Sequence, residues 1–258
     1  MKFNLHTHTR RCGHAVGADE EYVLKAIEAG YEMIGFSDHS PYIFPDGYIS
    51  GMRMTPDEAY EYAESIRSLK EKYKDKIDIK LGFELEWYPR LIDRNLEFLK
   101  TLDYDYLLLA QHHTDNENDP WCEYVGAKTN NIGILDKYIN QLLLGAKSGE
   151  FTYVCHPDLI YFVGNEEIYL RKMRYMIEEL KKLEIPLELN FFGYFDKRQY
   201  PNRKFWEMVK EVGNPVVIGL DAHTPSVYTD SRINGLRKYA EELGLEPIDS
   251  IKLIGAEG

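Results

Sequence analysis

Seven short β-rich runs alternate along this chain with seven helix-length amphipathic stretches, and that alternation leaves few folds open. The runs are KFNLHTH (2–8), EMIGFSDH (32–39), IDIKLGFELE (77–86), YDYLLLAQH (104–112), FTYVCH (151–156), IPLELNFF (185–192) and PVVIGLDAH (215–223). Helices are predicted over 18–30, 55–75, 90–102, 131–148, 166–184, 202–212 and 231–244. Thr55 precedes Pro56, with Glu58 three residues after the Thr, a capping box with proline in the first turn. Gly30, Gly149 and Gly213 stand where helices should stop. Repeated strand–helix units imply a parallel sheet, either doubly wound or closed into a barrel.

The histidines decide between the two. The strand ends read HTH, SDH, FELE, QHH, CHPD, ELN and LDAH, and all eight histidines lie in them or, for His14, in the first loop. A barrel gathers the C-terminal ends of its strands around one mouth. An open sheet would spread seven such ends too widely to meet. The expected fold is therefore a (β/α)7 TIM-like barrel, one domain over 1–258, with a metal site at the C-terminal ends of its strands.

The chemistry of those ends is specific. His6 and His8 are two residues apart on a strand, so both point to one face and can chelate a cation. Asp221 and His223 repeat that relation on the last strand, which in a barrel neighbours the first. Glu84, at the end of the third strand, faces inward if Glu86 does, and as a carboxylate can bridge two cations. Imidazole and carboxylate donors without a thiolate cluster suit zinc, iron or manganese. Of His112 and His113, only one can face inward in a regular strand. Alternation turns Cys155 away from His156, as packing. Asp38 and Asp158, beside His39 and His156, serve either to orient ligand histidines or to protonate a leaving group.

The net charge is −12, with no basic block of the kind nucleic-acid binding relies on. An acidic chain can still hold an anionic substrate where bound cations supply positive charge. The apolar runs are of strand length, too short for a membrane span. The N-terminus lacks the apolar core of a secretory signal. Three cysteines (Cys12, Cys122, Cys155) without a CxxC pair fit a reducing cytoplasm.

Together, HTHTRRCGHA, GFSDHSP, GFELEW, the QHH and CHPD strand ends and GLDAH resemble the polymerase-and-histidinol-phosphatase (PHP) superfamily, over essentially the whole chain. Arg53-Met54 before the second helix and the ELN strand are similar to its stand-alone histidinol-phosphate phosphatase branch. The resemblance implies three divalent ions (Zn, Mn or Fe). One would be held by His6, His8, Glu84 and Asp221. A second would share Glu84 and take His112, which the family pattern favours over His113, and His156. A third would take His14, His39 and His223. It also implies a small phosphorylated substrate, with hydrolysis of L-histidinol phosphate in histidine biosynthesis as the expected activity. A different small phosphomonoester is the alternative, and a nuclease the more distant one. These phosphatases usually carry an arginine near the sixth strand to grip phosphate. Here that loop reads NFFGYFDKRQYPN, so Lys197 and Arg198 are the candidates, with Asn190, Tyr200 and Arg53 as further pocket residues.

Overall fold

The computed structural model describes residues 2–256. Seven strands, β1 (Phe3–Asn4), β2 (Met33–Phe36), β3 (Asp78–Glu86), β4 (Tyr106–Ala110), β5 (Tyr153–Val154), β6 (Leu187–Asn190) and β7 (Val216–Gly219), form one parallel sheet in sequence order. Beyond the ladders, Thr7 bridges Ala222, with His8 N–H on Ala222 O (3.0 Å) and Ala222 N–H on His6 O (3.1 Å). Lower down, Asn4 closes the seam with its side chain: its Oδ1 accepts from Leu220 N–H (2.9 Å) and its Nδ2 donates to Tyr228 Oη (2.8 Å). First and last strands therefore meet, and the sheet is a seven-stranded barrel.

The helices are α1 (Asp19–Glu28), α2 (Pro56–Tyr73), α3 (Ile92–Lys100), α4 (Ile132–Ser148), α5 (Glu166–Lys182), α6 (Phe191–Phe195), α7 (Arg203–Val212) and α8 (Ile233–Glu242). The α2 capping box forms as read: Thr55 Oγ1 accepts from Glu58 N–H (3.3 Å) and Glu58 Oε2 from Thr55 N–H (2.8 Å). Gly149 and Gly213 end α4 and α7 with φ of 78° and 80°, a conformation that costs glycine little. The strands are shorter than the predicted runs, β1 and β5 most of all, and one run changes element type. The sixth strand stops at Asn190, and Phe191–Phe195 turns into α6, because Asn190 Oδ1 caps Gly193 N–H (2.9 Å). No helix among the described residues is long and apolar enough to cross a membrane.

Two apolar layers hold the barrel. Outward strand residues such as Ile34, Phe83, Leu107, Leu189 and Ile218 pack under the helices. Inside, Phe3, Leu5, Tyr106, Leu108, Ala110, Tyr153, Cys155 and Val217 fill the lower barrel. Tyr106 crosses this interior and donates to Leu5 O (2.6 Å), over Gly35 and Gly82, where any Cβ would collide with its ring or hydroxyl. This plug forms the floor on which the polar strand ends stand.

Candidate metal centre

Above the floor, strand alternation delivers most of the polar cluster. On β3, Gly82, Glu84 and Glu86 share the inner face; β4 continues Tyr106, Leu108, Ala110 to His112. His113 faces the other way, with Nδ1 near Tyr88 Oη (3.4 Å). On β7, Val217 and Gly219 lead to Asp221. Gly219 is required because a Cβ there would overlap the Glu188 carboxylate. Two strands break phase. After Leu5, which packs inside, His6 also points in. Cys155 likewise lies inside, beside His6 and Glu188, rather than facing away, and His156 follows it inward through a left-handed φ of 28°. Asp221 also sits at positive φ (49°). Such conformations cost about 1–3 kcal/mol each and collect at functional sites.

His6, His8, Glu84 and Asp221 converge most tightly. His6 Nε2 lies 3.1 Å from His8 Nε2, 3.3 Å from Glu84 Oε1 and 3.6 Å from Asp221 Oδ1. His8 Nε2 lies 3.1 Å from Asp221 Oδ1 and 3.6 Å from Glu84 Oε2. Four donors bound tetrahedrally at about 2.0–2.1 Å are separated by about 3.3–3.4 Å, so this set has the dimensions of a tetrahedral cation site. The far ring nitrogens are committed elsewhere: His6 Nδ1 to Glu188 Oε1 (2.7 Å) and His8 Nδ1 to Asp38 Oδ1 (3.3 Å). With Nδ1–H donating, each Nε2 presents a lone pair to the other and to two carboxylates. A cation resolves that conflict. The alternative is protonation: burial opposes charge on His6 and His8, yet the surrounding anionic groups outweigh it and raise both pKa values well above 6.5.

Glu84 reaches the rest of the cluster. Its Oε1 lies 3.0 Å from His156 Nε2 and 3.8 Å from His112 Nε2, and its Oε2 lies 3.0 Å from His39 Nδ1. His112 Nδ1 is fixed by Glu86 Oε1 (2.8 Å). Glu84 Oε2 and His39 Nδ1, although 3.0 Å apart, are not aligned for a hydrogen bond and have no other partner, and His156 Nδ1 has none; all three are buried. Orphaned polar atoms are rare in folded interiors and demand an explanation, and for the first two a cation among these donors supplies one. At the mouth, His14 stands with His223 and His39 at ring-centroid distances of 4.9 and 5.4 Å. His8, His39 and His223 form one group of donors within 4.8 Å, and Cys12, His14 and His223 another. His39 and His223 are held neutral, at about 4 and about 3, by burial and by the neighbouring His8. The residues fit divalent cations in donor type and spacing.

The cleft over the cluster measures about 540 Å³ including its open mouth. Met52, Tyr124, Leu159, Phe192, Arg198 and Tyr200 wall it. A hollow of about 710 Å³ at the other end of the barrel, by Phe3, Ile218 and Ile248, holds none of the histidines. Arg198 stacks over Phe192 at 4.5 Å and is steadied by Asp196 (Nε to Oδ2, 2.9 Å).

Other expected pocket residues are placed differently. Lys197 is exposed and is not part of the cleft wall. Asn190 donates to Glu188 Oε2 (2.9 Å) and Asp221 Oδ2 (3.2 Å) and caps α6, so it orders the cluster from behind. Arg53 is buried behind the cluster and spends its donors on Glu86, Glu117 and Ser40 O. Asp38 orients: it accepts from Thr9 N–H (3.1 Å), His39 N–H (2.8 Å) and His8.

Asp158 faces none of the rings. It accepts from Asn202 N–H (2.6 Å) and Trp206 Nε1–H (3.0 Å), tying the start of α7 to the barrel, and burial raises its carboxyl to about 7. Asp158→Ala strands both donors and is expected to cost about 1–3 kcal/mol of stability in urea unfolding. Cation content should not change; its loss would return Asp158 to the cluster.

Sequence reasoning missed three groups: Glu86, Glu188 and Cys12. Glu188 is fully buried and holds His6 Nδ1 and His156 N–H (3.0 Å). Both glutamates were visible in FELE and ELN as inward-facing strand positions. Nothing in their spacing distinguishes a carboxylate that reaches a cation from one that braces a ring.

A seven-stranded barrel whose strand ends converge six histidines and two carboxylates on one cleft defines a metal-dependent hydrolase architecture. The PHP domain family matches residues 4–191, and the chain belongs to that family. Similar proteins include the "Probable histidinol-phosphatase" of Deinococcus radiodurans, 28% identical over 224 residues covering 85% of each chain. The "Histidinol-phosphatase" of Lactococcus lactis is 24% identical over 238 residues, 86% of this chain and 84% of that one. The fold is shared with the crystal structure of histidinol phosphate phosphatase from Lactococcus lactis, complexed with zinc, L-histidinol and phosphate, at a TM-score of 0.70, 18% identity and 97% coverage of both chains.

Proposed function

We propose that this protein is a metal-dependent phosphomonoesterase that hydrolyses L-histidinol phosphate to L-histidinol and phosphate. The observation that carries the chemistry is the convergence of His6 Nε2 and His8 Nε2, 3.1 Å apart, on the Glu84 and Asp221 carboxylates. The substrate reading is supported by relatives named for that activity and matched over most of their length. In this reading three ions, of zinc, manganese or iron, are held by His6, His8, Glu84 and Asp221, by Glu84, His112 and His156, and by His14, His39 and His223.

Bound cations would supply Lewis-acid charge and a nucleophile at neutral pH. The chain's own groups do the rest. Glu84 sets the spacing between ligand sets, and Glu188, Asp38 and Glu86 fix the ring planes and tautomers from behind. Arg198, on the wall of the cleft, grips non-bridging phosphate oxygens as charge develops on them. Burial holds the Tyr200 hydroxyl well above the usual phenol range, so it stays an O–H donor toward the same oxygens. Met52, Tyr124, Leu159 and Phe192 cover the organic part of the substrate and limit water.

The deciding experiment is phosphate release from L-histidinol phosphate, compared with a panel of other phosphomonoesters, after chelation and re-addition of Mn²⁺ or Zn²⁺. A preference for another phosphomonoester would replace the substrate; no cation-dependent release from any would overturn the activity. Arg198→Ala is expected to raise KM for the phosphomonoester about tenfold or more, since a charge-assisted contact is worth about 1.5–3 kcal/mol, with cation content unchanged. An unchanged KM would remove Arg198 from the phosphate site.

A further inference from the structure

Arg53 lies in the segment between β2 and α2, where an arginine next to a cleft would ordinarily reach for solvent or substrate. It does neither. It is 5% exposed and held on every side. Nη1 donates to Glu86 Oε2 and Nη2 to Glu86 Oε1, both at 3.1 Å, a two-point fork. Nε donates to Glu117 Oε2 (2.9 Å), and Nη1 also to Ser40 O (3.0 Å). The Tyr42 ring backs the guanidinium at 5.3 Å. Glu86 Oε1, the oxygen taken by Nη2, is the one that receives His112 Nδ1–H (2.8 Å). On the other side Glu117 accepts from Ser50 Oγ and from Tyr48 Oη (3.3 Å), in the segment whose Met52 forms part of the cleft wall and rim.

We propose that Arg53 is a positioning residue that couples the cleft rim to the metal centre, through Glu117 on one side and Glu86 and His112 on the other. The inference rests on the reading of His112 as a cation ligand. The fork fixes the plane of the Glu86 carboxylate. That plane fixes the His112 ring and keeps its Nε2 turned toward Glu84. Because the same guanidinium anchors Glu117, the rim segment 41–53 and the His112 ring share one rigid support. Lysine offers a point charge without the fork and cannot hold both carboxylates in these planes. Removing outer partners of ligand histidines typically costs about 10–100-fold in cation affinity.

The test is cation affinity of the full chain, by competition of Mn²⁺ or Zn²⁺ with a chromophoric chelator. Arg53→Lys is expected to weaken the most affected site about tenfold or more. Glu117→Gln, which touches no histidine of the cluster, should weaken the same site several-fold, and carries the test alone if Arg53→Lys does not fold. Asp46→Asn is the control: Asp46 steadies the same rim through Asn118 (2.9 Å) without touching Arg53, and its variant should bind as wild type does. Affinity within twofold of wild type in Arg53→Lys and Glu117→Gln overturns the coupling. So does an Asp46→Asn defect equal to that of Glu117→Gln, which would reduce the effect to a loosened loop. A wild-type chain that binds neither cation overturns the metal centre itself and the inference with it, and is told apart from the first two outcomes by the wild-type titration.

Discussion

Glu84→Gln is expected to abolish phosphatase activity and to strip the centre of bound cation while leaving the barrel folded. Glu84 is 1% exposed and its carboxylate approaches five rings: His6, His112 and His156 through Oε1, His8 and His39 through Oε2. Its carboxyl is held well below the usual range although burial opposes its charge, because His6, His112 and His39 surround it. The amide matches it in size, so packing above Tyr106 and Leu108 is preserved. What changes is charge and donor character. An NH₂ group would face ring nitrogens that must offer lone pairs, and the negative charge shared between two ligand sets would vanish. Lewis-acid stabilisation is worth several kcal/mol, and about 1.4 kcal/mol is tenfold in rate, so the loss in kcat should be about 10³-fold or more. Elemental analysis and phosphate release on one preparation check both halves. Full cation content with near-wild-type turnover would show that Glu84 does not hold the centre.

Much of this centre is legible in the sequence because a regular strand is a ruler. On β3, β4 and β7 the period of two carries Glu84, His112 and Asp221 to the inner face, and it separates His112 from His113. The ruler fails on β1 and β5, which hold only two ladder residues each. There Leu5 and His6, and Cys155 and His156, are neighbours in sequence that both point inward. The left-handed φ at His156 that permits this leaves only a weak sequence signal: histidine is enriched at positive φ, yet most histidines take ordinary backbone, so the residue type alone does not mark the turn. The supporting carboxylates were hidden for a different reason. Glu188 braces the far side of His6, and Glu86 the far side of His112, each as an inward glutamate among others; Glu84 and Glu86 share one face of β3 and differ only in depth, by two strand residues or about 6.6 Å. Arg53 reads as a pocket cation because isolated arginines are mostly exposed. Only the fold shows Glu86 and Glu117, distant in sequence, closing on it. At Phe191, a run of aromatic residues argued for continued strand, and the Asn190 cap overrode it.

Cation affinity should climb steeply as pH rises above 6.5, and the metal-free chain should lose stability over the same range. His6 and His8 carry the argument. In the metal-free chain their pKa values lie well above 6.5, because neighbouring anionic groups outweigh burial. A ring whose folded pKa is raised stabilises the fold fully below its unfolded value. That contribution disappears as pH rises through the folded value. Asp221 and Glu84 run the other way: held well below 3.8 and 4.5, they stabilise the fold above their unfolded values and lose that effect as pH falls through the folded ones. A ligand nitrogen must be unprotonated, so cation binding expels the protons of His6 and His8, and affinity should gain up to about tenfold per pH unit for each proton expelled. His39 and His223, already neutral, contribute no protons. Calorimetric titration in two buffers of different ionisation enthalpy counts the protons released. Thermal melts of stripped and loaded protein between pH 6.5 and 8.5 follow the consequence: the gap in Tm should widen with pH, because loading removes the protonation that the stripped cluster depends on. A flat affinity and a constant gap across that range would mean that His6 and His8 are neutral before any cation arrives, and that the lone-pair conflict between them is relieved by something other than protons.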